Sequence, residues 1–136
     1  MQDAALTETI IGCAMKVHQA LGPGFLESVY EKALAHELGK TGLQVECRQP
    51  VKVAYDGVVV GDFVADMLVE ASILVENKAV QTLMPAHEAQ LVNYLTATGI
   101  EVGLLLNFGA SSLQIRRKHR TYRPGGEAKR TPKASV

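Results

Sequence analysis

Apolar residues fall into two kinds of period along these 136 residues. From Ala4 to about Ala20, Leu6, Ile10, Cys13, Ala14, Val17 and Leu21 recur every three or four positions, which predicts a helix. The segment "GPG" at 22–24 stops it. A second helix is expected from Phe25 to Lys40, with Leu26, Val29, Tyr30, Ala33 and Leu34 as its apolar stripe and Gly42 at its exit. "VKVAYDGVVVGDF" then alternates around Asp56-Gly57, a favoured tight-turn pair, and predicts two strands. "FVADMLVEASILVENKAV" (63–80) continues as a further hairpin. Pro85 suits the first turn of a third helix ending near Thr98. "EVGLLLNF" is almost continuously apolar, as a strand covered on both faces should be. A last strand is expected near "LQIRRKH".

The predicted order is α-α-β-β-β-α-β-β. A strand, a helix and a strand in succession over 73–108 form a crossover unit, which places the two strands parallel within a mixed sheet. The expected class is therefore α/β, with one domain over residues 1–122. "RPGGEAKRTPKASV" (123–136) has no apolar period and is expected to be a disordered basic tail.

Charge refines this picture. The net charge of zero hides 13 acids against 6 bases in residues 1–115, and 8 bases against one acid in residues 116–136. An acidic body does not suit non-specific nucleic-acid binding, which scales with phosphates neutralised. The basic end fits either a solvated terminus or a phosphate contact. No apolar run approaches the ~20 residues of a membrane span, and the first residues lack the basic start of a signal peptide. Cys13 and Cys47 fit neither a disulfide framework nor a four-ligand zinc site, so a reducing cytoplasm is the expected location.

Three charges interrupt the 63–80 hairpin: Asp66, Glu76 and Lys78. Glu76 and Lys78 are two apart and share a face. A three-residue loop at Glu70-Ala71-Ser72 pairs Val69 with Ile73 and sets Asp66 opposite Glu76. A two-residue loop would instead send Asp66 to the other face. Opposed carboxylates destabilise a sheet unless a proton, a cationic side chain or a metal intervenes. The spacing fits a divalent-cation site, since Mg²⁺ takes one or two carboxylates and keeps waters. It also fits an ion pair of Lys78 with either acid.

An Asp followed after nine residues by Glu-Asn-Lys on a hairpin resembles the PD-(D/E)XK nuclease superfamily. "GFLESVY" (Gly24, Glu27, Tyr30) resembles the signature of the GxxExxY proteins within it. "VADMLVE", "VENKAV", "HEAQLVNYL" and "GLLLNFG" follow in that family's order, over about residues 5–119. The resemblance implies a restriction-endonuclease-like αβββαβ core with a mixed central sheet flanked by helices. It implies Asp66, Glu76 and Glu27 as metal ligands, with the main-chain carbonyl of Asn77 also meeting the ion. Lys78 is implied near the attacking water or phosphate, and Gln90 matches the superfamily's helical Gln. His87, Gln90 and Tyr94 share one stripe by their spacing. Two positions depart from the pattern: Asn77 stands where an apolar residue is usual, and Val64 where an arginine is.

The expected activity is Mg²⁺- or Mn²⁺-dependent hydrolysis of phosphodiester bonds in DNA or RNA, by a non-membrane protein. The alternative is a nuclease fold without turnover, serving as an interaction or nucleic-acid-binding module and forming a homodimer.

Overall fold

The structure is a computed structural model, which describes residues 3–121. The expected tail (123–136) lies outside the described residues. Helices α1 (Ala4–Leu21) and α2 (Glu27–Lys40) precede strands β1 (Val45–Tyr55), β2 (Val58–Val69) and β3 (Ile73–Lys78). Helix α3 (Pro85–Thr98) and strands β4 (Val102–Asn107) and β5 (Gln114–His119) follow. The five strands form one sheet in the order β1-β2-β3-β4-β5. Only the β3–β4 pair, joined through α3, is parallel; the others are antiparallel. This is the expected α/β architecture with a mixed sheet.

Alternation along the central strands builds a core on each face. Val75, Leu104 and Leu106 pack with Ile10, Val17, Tyr30, Leu34 and Leu38 from α1 and α2. The intervening Leu74 and Leu105 pack with Leu91, Tyr94 and Leu95 of α3. Every residue of β4 is buried, as its unbroken apolar run requires. No helix among the described residues is long and apolar enough to cross a membrane.

Two boundaries differ from expectation. Strand β1 begins at Val45, six residues early, and carries Pro50 opposite Val64. It lies at the edge of the sheet, where a proline's missing N–H breaks no essential ladder. Helix α2 begins at Glu27, and Leu26 is 78% exposed, so it is no part of the buried stripe. The reason is the preceding turn. Gly22 and Gly24 take positive φ (69° and 117°), and the buried Tyr30 hydroxyl donates to the Gly22 carbonyl and accepts from the Phe25 amide. Those bonds hold Phe25 outside the helix. Asp56 and Gly57 both have positive φ, as a two-residue hairpin turn demands.

Candidate functional site

The β2–β3 ladder runs from Val69–Ile73 to Met67–Val75 and then stops, although both strands continue. Its register is that of the three-residue loop. The next opposed pair is Asp66 and Glu76. Here side chains replace main-chain acceptors: the Asp66 amide donates to the Glu76 carboxylate (2.8 Å), and the Asn77 amide donates to that of Asp66 (2.7 Å). A main-chain N–H freed where buried strands part needs an acceptor, and each acid supplies one to the other strand. Asp66 is 7% exposed and Glu76 6%.

Burial with a like charge next to it disfavours ionisation. The Glu76 pKa is pushed up to about 8, first by desolvation and then by the Asp66 charge; the bond from the Asp66 amide and the charge of Lys78 oppose this. Lys78 shares the Glu76 face and reaches Gln90 of α3, with Nζ 3.5 Å from the amide oxygen. The Lys78 carbonyl accepts from the Phe108 amide (2.8 Å). The Phe108 ring in turn stacks on Tyr30 at 4.8 Å and 8°. The end of β3 is thereby tied to the start of α2.

Helix α2 brings two acids to this place. Glu27, in its first turn, is open to solvent. Partial desolvation still raises its pKa; the Lys78 charge opposes that rise and Asp66 adds to it. Glu31, one turn on, is half-buried. Desolvation and the Asp66 charge push it up to about 7 against the pull of Arg48. Arg48 lies on β1 between the pairs Cys47–Met67 and Gln49–Ala65, hence opposite Asp66. Its φ of 59° interrupts the extended strand. The guanidinium is 3.7 Å from Glu31 and 3.8 Å from Asp66.

The fold thus gathers Asp66, Glu76, Lys78, Glu27 and Gln90 in one region. The Asn77 side chain is separate from it: fully buried, with Nδ2 and Oδ1 both lacking a hydrogen-bond partner. Two participants were missed in the sequence. Glu31 follows Glu27 at helical i+4 spacing, a readable signal. Arg48 gives no such signal, because the apolar alternation that marks the strand begins after it, at Val51. It sets a guanidinium beside the acids, while Val64 is 45% exposed.

A model of the PD-(D/E)XK nuclease superfamily matches residues 4–118. The chain belongs to that superfamily. A solved structure described as "Crystal structure of SSO0001" is similar at a TM-score of 0.56 and 18% identity, covering 77% of this chain. The chain spans 55% of that protein's length, and the likeness concerns the fold alone. No curated protein matches the chain.

PD-(D/E)XK nucleases act on nucleic acid and generally use divalent metals. Among the described residues, no group of three or more His, Cys, Asp or Glu side chains is disposed around a common point for an ion. The donor set nevertheless suits a hard cation. Two buried carboxylates stand opposed, each with one oxygen held by a main-chain amide, and Mg²⁺ needs only one or two carboxylates besides water.

Proposed function

We propose that this chain is a Mg²⁺- or Mn²⁺-dependent nuclease, as its resemblance to the GxxExxY proteins within the superfamily implies, working in the cytoplasm. Asp66 and Glu76, with the Asn77 carbonyl, are the residues that would hold the ion, and Glu27 is near enough to add its charge. When bound, the ion supplies Lewis-acid polarisation of a phosphoryl oxygen and neutralises the carboxylate pair. The observation that carries this reading is the opposed, buried Asp66–Glu76 pair. It is a destabilising arrangement in a sheet that a divalent cation relieves.

The chain's own residues divide the remaining work. Lys78, on the Glu76 face, stabilises negative charge accumulating on the phosphate. Gln90 orients the Lys78 ammonium through its amide oxygen. Glu31, held above the ordinary carboxylate range by desolvation and the Asp66 charge, adds a further acid beside the pair. Arg48 prevents Glu31 and Asp66 from repelling each other without compensation.

Calorimetric titration of Mn²⁺ into wild type and Asp66→Asn, beside cleavage assays on Lys78→Ala, tests the reading. Wild type takes up the ion and Asp66→Asn does not. Lys78→Ala still binds it but no longer cleaves DNA or RNA. Equal heats for wild type and Asp66→Asn, or full cleavage by Lys78→Ala, would refute the proposal.

One observation favours a second reading. Tyr55, Val58, Val59 and Val60 form an exposed apolar tip on the β1–β2 hairpin, which suits a homodimer contact or an interaction module without turnover. Cleavage that disappears in Asp66→Asn excludes the module reading.

A further inference from the structure

Beside the carboxylates lies a groove of about 590 Å³ between the β1–β2 hairpin and α3. Its walls include Phe63 of β2 and Ala86, Ala89, Gln90, Asn93 and Tyr94 of α3. Phe63 is 44% exposed, and its ring leans on Tyr94 with centroids 5.8 Å apart. Gly61 makes room for that ring: a Cβ there would come within 2.8 Å of its Cε2. The two alanines keep the helix wall shallow. Gln90 and Asn93, both exposed and three residues apart, present amide donors and acceptors. The groove is continuous with the candidate site, because Gln90 both lines it and accepts from Lys78.

We propose that this groove holds one unstacked nucleobase of a single-stranded nucleic acid, with the adjoining phosphate at Lys78. The inference rests on the nuclease reading above. A half-exposed aromatic ring offers a stacking face that accepts any base, and neighbouring amides reach a base edge. In a duplex those bases are stacked inside and do not enter a side groove. The acidic body also offers few phosphate contacts with which to grip a duplex along its backbone. Contact with a base in the groove therefore adds to whatever the basic residues of 116–136 give, and only an unpaired strand can make it.

The probe is a short fluorescein-labelled, phosphorothioate-linked single strand, compared with the same strand abasic at one central position and with its duplex. Anisotropy is read with Mn²⁺ present. Wild type binds the intact strand about tenfold more tightly than the abasic one, the scale of one stacked base. Phe63→Ala lowers affinity for the intact strand by a similar factor and leaves the abasic strand unaffected. Asn93→Ala weakens binding to some bases more than others. Mn²⁺ heats stay at the wild-type value in both variants. Equal binding of intact and abasic strands, duplex binding as tight as single-strand binding, or a dimer that Phe63→Ala dissociates without loss of binding would each overturn the base pocket. If wild type also takes up no Mn²⁺ and cleaves nothing, the nuclease reading falls with it. Cleavage with indifference to the abasic site removes the pocket alone.

Discussion

Replacing Glu76 by glutamine isolates the electrostatic tension at the centre of the site. The substituted amide keeps an oxygen for the Asp66 main-chain N–H but carries no charge. The Glu76 pKa stands at about 8, against an ordinary value of 4.5. Between those values the folded protein retains a proton that the unfolded chain has released, so stability falls as pH rises through the window. The penalty is absent below the lower value and complete above the upper one. At 1.36 kcal/mol per tenfold change in proton affinity the gap sets a ceiling of roughly 5 kcal/mol. Sharing of the charge with Asp66 brings the expected difference to about 2–4 kcal/mol. Glu31 adds a slope of the same sign to both proteins, so their difference reports Glu76. Urea unfolding in EDTA at roughly pH 4, 7 and 9 measures it. Wild type and Glu76→Gln converge at the acid end, and the variant becomes the more stable protein at the alkaline end. Saturating Mg²⁺ then restores wild type by RT ln(1 + [L]/Kd), about 2.7 kcal/mol at a hundred times Kd, and does nothing for the variant. Parallel stability curves across this range, or a variant weaker at high pH, would refute the reasoning.

Asn77→Val should stabilise the fold by roughly 1–3 kcal/mol, since it removes two buried polar atoms that have no partner. Denaturant titration checks this, with the Mn²⁺ heat expected to be unchanged. Tyr30→Phe should destabilise by a similar amount, roughly 1–3 kcal/mol, because the Gly22 carbonyl and Phe25 amide lose their shared hydroxyl. Its melting curve should fall while the ring stack on Phe108 persists. The Mn²⁺ affinity should weaken as Glu27 loses its fixed start of helix, and an unchanged affinity would leave Tyr30 a purely structural tyrosine.

Local patterning was enough to reveal the element order, because periods of 3.6 and 2 reflect which side chains face a core. It left the register of the β2–β3 hairpin open between a two-residue and a three-residue loop, and the structure takes the latter. A three-residue loop permits one pairing, and Val69 opposite Ile73 then sets Asp66 opposite Glu76. The family blocks were readable, since they are runs of contiguous residues. What the chain order could not display were contacts made across elements. Arg48 meets Asp66 only because β1 starts early, at an edge where Pro50 is tolerated. Leu26 looked like a core residue by spacing, yet the Tyr30 hydroxyl keeps the chain unwound just before it. The near-neutral pKa of Glu31 and the raised one of Glu76 arise from desolvation and from neighbouring charge. Both depend on how α2 and β1 pack against the parting strands, which the tertiary structure alone decides.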